Sequence, residues 1–301
     1  MLTGLTIAVI GGDARQLEVI RKMTELDSKL FLVGFDQLDH GFTGATKGKI
    51  DEISFNEVDA IILPVPGTTI DGHVDSVFSN EEIVLTEEMI NKTPEHCTIY
   101  SGISNSYLDG IVQKANRKLV QLFERDDVAI YNSIPTVEGT IMMVIQHTDF
   151  TIHSSEVAVL GLGRVGMSVA RTFSSLGANV KVGARKTAHL ARIAEMGLKP
   201  FHLENIEKEI SASDIVINTI PHLILTAKVI STLPSHSLIV DLASKPGGTD
   251  FRYAEKRGIK ALLAPGLPGI VAPKTAGKIL ANVLSQLLVS DLTNGRKGSS
   301  S

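Results

Sequence analysis

An unbroken apolar run, Val157-Ala-Val-Leu160, leads straight into Gly161-Leu-Gly163-Arg164-Val165-Gly166 and then into a helix-length amphipathic segment, Val165 to Leu176. Few local patterns restrict a chain so strongly. Between a strand and a helix, the first glycine permits the tight turn, the second lets a pyrophosphate approach the backbone, and the third lets helix and strand pack closely. Phosphate oxygens then meet free N–H groups at the helix N-terminus. A glycine-rich turn without a ligand is the plainer alternative. Against it, a second strand, Asn179-Val-Lys-Val, follows about 20 residues on and completes the unit that a dinucleotide site needs. The second half of the chain therefore reads as a Rossmann domain.

The end of that second strand selects the cofactor. An NAD site places an acid there to accept from the adenosine ribose, whereas this chain continues Ala184-Arg185-Lys186. Two cations suit the 2′-phosphate of NADP, and a guanidinium can stack on adenine while its fork holds the phosphate. A solvated Arg-Lys pair opening a helix is the other reading. Further along, Ile217-Asn-Thr219-Ile220-Pro221-His222 ends a strand with small and polar groups, of which Thr219, Ile220 and Pro221 are placed on the nicotinamide side. The run from Asp241 through Ala243 to Lys245-Pro-Gly-Gly ends the next strand in the same way. Asp241 and Ala243 join the cofactor contacts expected from the sequence.

Short apolar runs alternate with helical segments along the whole chain, the pattern of parallel sheets with crossover helices. In the first half the predicted strands are Thr6–Ile10, Phe31–Phe35, Ala60–Pro64, Thr98–Ser101 and Lys118–Phe123, with helices over Ala14–Glu25, Glu87–Asn91 and Ser106–Asn116. In the second half they begin at Ser155, Asn179, Ile215, Ser237 and Ile259. Val137, Ile141, Val144 and Ile145 recur at helical spacing after Pro135, a residue suited to a first turn. The expected class is α/β, with two doubly wound Rossmann-like domains, mostly parallel sheets, and a C-terminal helix crossing back to the first domain. The expected boundaries are a substrate domain over 1–134, a linking helix over 135–150, a cofactor domain over 151–272, a C-terminal helix over 273–291 and a disordered tail over 292–301.

In the first domain the ends of strands again carry the informative residues: Gly11-Gly-Asp-Ala-Arg15, Pro64-Val-Pro-Gly-Thr68-Thr69 and Ser101-Gly-Ile-Ser-Asn. Gly11-Gly12 precedes a helix but lacks a third glycine, so an anion or substrate loop is expected there, with Arg15 as its clamp. A surface arginine on a first helical turn is the alternative.

These segments together resemble the dipicolinate synthase A subunits of spore-forming bacteria. The likeness rests on Ile7-Ala-Val-Ile-Gly-Gly-Asp-Ala-Arg-Gln16, Leu63-Pro-Val-Pro-Gly67, Ile134-Pro-Thr-Val-Glu-Gly-Thr140, Val159-Leu-Gly-Leu-Gly-Arg-Val-Gly166 and Asp241-Leu-Ala-Ser-Lys-Pro-Gly-Gly248. The resemblance implies oxidation of dihydrodipicolinate to dipicolinate with NADP during sporulation, in the cytoplasm of the mother cell, as a hetero-oligomer with a flavoprotein-like B subunit. The chain is expected to form a homo-oligomer as well. Such a step needs orientation at the nicotinamide and cationic or N–H partners for two carboxylates of a small cyclic substrate. Arg15, Lys245, Thr68, Thr69, Ser101, Asn132 and Ser133 are of the right type, and His222 is the best titrating candidate. A packed or solvated histidine is the plainer reading of His222. Glu138 is a possible base, although a carboxylate near a helix start is the blander reading.

Other classes remain open. A 2-hydroxy-acid or shikimate dehydrogenase shares the architecture, but no late Arg, Glu and His constellation and no first-domain Asn-Val-Thr-like loop with a lysine is present. A non-catalytic NADP-binding scaffold is the rival from another class. A net charge of −4, 5% aromatic residues and no tryptophan argue against nucleic acid as a partner. The start of the chain looks like a strand and turn, and apolar stretches such as Ile279–Val289 are too short and interrupted to span a bilayer. No metal spacing is found, and the lone Cys97 is read as a partly buried bystander.

Overall fold

The computed structural model describes residues 1–39 and 42–298. The chain divides into two compact units, one made of Met1–Val128 with the chain from Ala272 onward, the other of Ala129–Val271.

The first unit runs β1 (Thr6–Ile10), α1 (Ala14–Glu25), β2 (Lys29–Val33), β3 (Ala45–Gly48), β4 (Ala60–Ile62), α2 (Glu87–Lys92), β5 (Thr98–Ser101), α3 (Ser106–Lys114) and β6 (Lys118–Gln121). Then α4 (Asp126–His147) leads into the second unit, which runs β7 (Glu156–Leu160), α5 (Arg164–Ser175), β8 (Asn179–Ala184), α6 (Thr187–Glu195), β9 (Lys199–His202), α7 (Ile206–Glu209), β10 (Ile215–Asn218), α8 (Ala227–Ile230), β11 (Leu238–Asp241), α9 (Phe251–Arg257), β12 (Lys260–Leu263) and α10 (Leu267–Val271). The last helix, α11 (Pro273–Gly298), belongs to the first unit.

Each unit holds a six-stranded parallel sheet, in the orders β3-β2-β1-β4-β5-β6 and β9-β8-β7-β10-β11-β12. This is the doubly wound Rossmann order twice over, and each sheet reverses direction beside its first strand. Both faces of each sheet are covered. Along β1, Ile7 and Val9 enter one core while Ala8 and Ile10 enter the other, and Val157 and Val159 against Ala158 and Leu160 do the same along β7. A strand buried on both faces has no polar alternation, which is why these runs read as continuous hydrophobic sequence.

The sequence predicts five strands per sheet, and the structure adds an outer one to each. Both additions, Ala45-Thr-Lys-Gly48 and Lys199-Pro-Phe-His202, lie at a sheet edge, where lysine and proline are tolerated and apolar patterning is weak. The helix expected from Pro135 begins instead at Asp126, with Pro135 inside it. Proline takes the i→i−4 donor from the Tyr131 carbonyl, and the hydroxyls beside it bond the carbonyls on either side of that one: Ser133 Oγ donates to the Ile130 carbonyl at 2.6 Å and Thr136 Oγ1 to that of Asn132 at 2.7 Å. Among the described residues α4 is also the one helix long and apolar enough to cross a bilayer by length and composition, yet Val137 and Val144 are core residues of the second unit.

The C-terminal helix packs along α1 as expected, with Leu280, Ala281, Val283, Leu284 and Leu288 in the core beneath β1. At their crossing a Cβ on Gly277 would stand 2.5 Å from the Arg15 carbonyl oxygen, so the backbones touch. Residues expected as tail are helical through Gly298, and 299–301 lie outside the described residues. Cys97 is fully buried, and burial pushes its thiol up to about 11.

Candidate dinucleotide site

The glycine hexad takes the form that its three roles require. Gly161 leaves β7 with φ +99°, and a Cβ there would strike Thr219 Oγ1 at 2.6 Å. Gly163 is the N-cap of α5 and is exposed, with nothing within 4 Å of where its Cβ would be. Gly166 faces inward, 2.1 Å from the Gly161 carbonyl oxygen if given a Cβ. The turn, the open approach and the tight packing thus fall on the three glycines in order. No side chain caps the N-terminus of α5, where Arg164 is exposed and Val165 half-buried. The first-turn N–H groups are thus available to an anion, and the cradle fits a pyrophosphate.

At the end of β8, Ala184 is buried while Arg185 and Lys186 are exposed, and no carboxylate holds either cation among the described residues. The Arg185 carbonyl is fixed by His202 Nε2 at 3.0 Å, from the edge strand β9. Backbone tethering leaves the two side chains on the surface where β8 gives way to α6.

Across the switch point, the ends of β10 and β11 are built around one carboxylate. Asp241, 0% exposed, accepts from Asn218 Nδ2 at 3.0 Å, from the Ala243 and Gly248 N–H groups at 3.1 and 2.8 Å, and from Thr249 Oγ1 at 2.6 Å. Its role is therefore corrected: the carboxylate has no free lone pair and no exposed surface for a cofactor, and it positions the 242–249 loop instead. Asn218, its register partner on β10, also donates to the Ile220 carbonyl at 3.0 Å and accepts from the Ile220 N–H at 3.0 Å. Thr219 Oγ1 donates to the Leu160 carbonyl at 2.8 Å. Gly248 completes the join, since its carbonyl accepts from Ile224 and Leu225 and a Cβ on it would strike the His222 and Ile220 carbonyls. The two loops thus form one rigid wall. On it Thr219 and Ile220 are partly exposed, Pro221, His222 and Lys245 exposed, and Ala243 buried. Asn218, Gly248 and Thr249 were not singled out in the sequence. The signal was there: two polar residues, Asn218 and Asp241, closing otherwise apolar strands at paired positions.

The first unit treats its candidates differently. Gly11 N–H donates to Val33 and Gly12 N–H to Asp75, both at 2.8 Å, so the expected anion loop has spent its donors on its own chain. Asp13 caps α1 and grips Arg15: the backbone N–H and Nε each donate to Oδ1 at 2.9 Å, and Nη2 donates to Oδ2 at 2.6 Å. Burial alone would raise the Asp13 carboxyl, but the hydrogen bonds from Arg15 and its charge together hold it below the ordinary carboxylate value. With its side chain 12% exposed and its charge balanced, Arg15 is corrected from substrate clamp to structural partner. Ser101 is fully buried, donating to the Ile103 carbonyl at 2.6 Å, and Ser133 is buried between the Ile130 carbonyl and Ser168 Oγ; neither is presented to a ligand. Thr68 is buried with no partner for Oγ1, whereas exposed Thr69 accepts from the His73 N–H at 3.1 Å within its own turn. Asn132 Oδ1 is also buried without a partner.

Comparison with known proteins agrees with both halves of this description. A family model described as the N-terminal domain of the dipicolinate synthase A subunit matches residues 6–123, and one described as the alanine dehydrogenase/PNT C-terminal domain matches residues 129–298. The dipicolinate synthase A subunit of Bacillus subtilis (strain 168) is 69% identical over 288 residues, covering 96% of this chain and 97% of that one. Crystal structures of the dipicolinate synthase A subunits from Bacillus halodurans and from Bacillus subtilis each superpose with a TM-score of 0.95 at 68% identity. They cover 96% and 98% of this chain, respectively, and 99% of each of those chains. This chain belongs to the dipicolinate synthase A subunit family.

Proposed function

We propose that this chain is the oxidoreductase component that forms dipicolinate from dihydrodipicolinate with NADP, acting with a B subunit in the cytoplasm of a sporulating cell. The observation that carries the cofactor assignment is the pair Arg185 and Lys186, exposed, unpaired with any acid among the described residues, and standing where an NAD site keeps a carboxylate. The hexad N–H groups at the start of α5 would hold the pyrophosphate, and Thr219, Ile220 and Pro221 would line the nicotinamide. Bound there, NADP would supply the hydride acceptor for an oxidation in which the dihydropyridine ring becomes aromatic.

The chain's own residues then have three tasks. The wall fixed by Asp241 and Asn218 holds its shape before substrate arrives, so little ordering is left for the reaction step. Lys245, at the exposed tip of that wall, offers a cation to one substrate carboxylate. His222, on the adjoining loop, receives the proton that leaves the ring. Aromatisation drives the step, so a weak base suffices.

An NADP-linked assay on dihydrodipicolinate, run with both polypeptides of the synthase together, tests this reading. Lys245→Ala should lower kcat/KM at least about tenfold while leaving NADP affinity within about twofold, because the lysine belongs neither to the hexad nor to the Arg185 strand end. Absence of turnover by the intact pair, with NADP still bound, would favour a non-catalytic NADP-binding scaffold.

A further inference from the structure

Side chains alternate along the edge strand β9 and the residue after it. Phe201 and Leu203 are buried in the core on one face of the sheet, so His202 between them stands on the other face, the one that α6 covers. Gly183 on β8 lets the two apolar side chains close over it: a Cβ there would stand 2.6 Å from Phe201 and 2.7 Å from Leu203. The end of β9 is thus seated tightly against the end of β8. In that register His202 lies opposite Ala184, the residue before Arg185.

Both imidazole nitrogens are occupied. Nε2 donates to the Arg185 carbonyl at 3.0 Å, while Nδ1 accepts from the Glu204 N–H at 3.4 Å and lies 3.4 Å from the Glu204 carboxylate. A carbonyl only accepts, so Nε2 carries a proton. The peptide that this bond holds is the one joining Arg185 to Lys186. On its far side the Lys186 carbonyl accepts from the His189 and Leu190 N–H groups at 2.9 and 3.1 Å. The backbone of Lys186 is therefore held from both directions. A peptide plane held in place sets the directions in which the Cα–Cβ bonds of Arg185 and Lys186 leave the chain, and beyond those bonds both side chains are exposed.

We propose that His202 is a positioning residue for the discrimination of NADP from NAD, an inference that rests on the NADP reading above. It acts through the Arg185–Lys186 peptide, which it holds so that both cations leave the β8–α6 turn toward one phosphate. Two long, exposed side chains lose freedom when they close on an anion, and a backbone already fixed leaves less to be lost. Pyrophosphate and nicotinamide contacts belong to the hexad and to the ends of β10 and β11, so the clamp bears on the 2′-phosphate. The strand does not need this bond to stay in the sheet, since β9 pairs with β8 over four residues and is anchored by Phe201 and Leu203. A histidine that merely held the fold would serve both dinucleotides alike.

Titrating the full chain with NADPH and with NADH separates these roles. In His202→Asn the amide takes the place of Nδ1 and stops short of the Arg185 carbonyl, whereas in His202→Gln it falls near Nε2 and can donate there. The Asn variant should lose about three- to tenfold in NADPH affinity, the worth of one hydrogen bond, and keep its NADH affinity within about twofold. The Gln variant should match the wild type with both. Arg185→Ala, measured alongside, should weaken NADPH and spare NADH. If it does, and His202→Asn leaves both affinities unchanged or weakens both alike, the positioning role is overturned while the NADP reading stands. A Gln variant as weak for NADPH as the Asn variant overturns it too. If Arg185→Ala leaves NADPH affinity unchanged, the NADP reading fails and the proposal falls with it.

Discussion

Gly163 is the residue at which cofactor binding and folding can be separated. Its φ of −86° is open to any amino acid and its absent Cβ would meet no protein atom, so Gly163→Val should keep the folded circular dichroism spectrum, with only the small loss that a poorer N-cap brings. The side chain would fill the approach of the pyrophosphate, and NADPH titration should show affinity lost by at least about a hundredfold. A folded variant with normal affinity would remove the hexad from the site. Arg185→Glu should turn the preference toward NAD, because a carboxylate repels the 2′-phosphate and accepts from a ribose hydroxyl. The lost charge-assisted contact is worth about 1.5–3 kcal/mol, or roughly ten- to a hundredfold in NADP affinity. Equal or tighter NADP binding by that variant would defeat the assignment. Both positions are legible in the sequence because their chemistry follows from local order along one strand-turn-helix-strand unit. Arg15 and Ser101 are not. Whether an arginine on a first turn is free depends on what the cap two residues earlier does with its carboxylate, and Asp13 takes it. Ser101 closes a strand buried on both faces, and only the sheet's neighbours reveal that its hydroxyl points inward.

At the scale of elements, two helical glycines separate close packing from mere tolerance. In α11, Gly277 lies against the Arg15 backbone, so Gly277→Ala must part α11 from α1 and should cost about 1–3 kcal/mol. In α3, nothing lies within 4 Å of a Cβ on Gly110, and Gly110→Ala should instead gain about 0.5–1 kcal/mol from helix propensity. Urea titrations of the two variants should therefore move in opposite directions from the wild type, and a shift of the same sign in both would contradict the packing argument. The elements that the sequence discloses are those whose own periodicity decides them: β1, β7, β10 and β11 are apolar without interruption, and α11 carries a clear stripe. The edge strands β3 and β9 are decided by their neighbours, since one side of each pairs and the other meets solvent. The start of α4 was hidden for a related reason. Pro135 looks like a first turn in isolation, and nothing in its immediate neighbours announces that the helix has already run from Asp126.

On the scale of the whole molecule, the first unit holds Asp13, Glu88, Asp127 and Asp291 below the ordinary carboxylate values. Asp291 matters most for the architecture, because it joins α11 to the sheet: it accepts from Tyr100 Oη at 2.6 Å on β5 and from Lys118 Nζ at 2.9 Å on β6. Burial alone would raise its carboxyl, and the hydrogen bonds from Tyr100 and Lys118 with the lysine charge outweigh it. A carboxyl with a lower value folded than unfolded adds stability that is present above the unfolded value, near 3.8, and that disappears as pH falls through the folded one. The first unit should therefore be the acid-labile one. Hydrogen exchange read by mass spectrometry as pH is lowered past 3.8 should show residues 1–128 and the start of α11 opening before residues 129–271. Asp291→Asn should blunt that order, since the variant lacks the titrating group and most of its loss is already present at neutral pH. Simultaneous opening of both units, or earlier opening of the second, would show that the stabilising carboxylates of the first unit do not govern its response to acid.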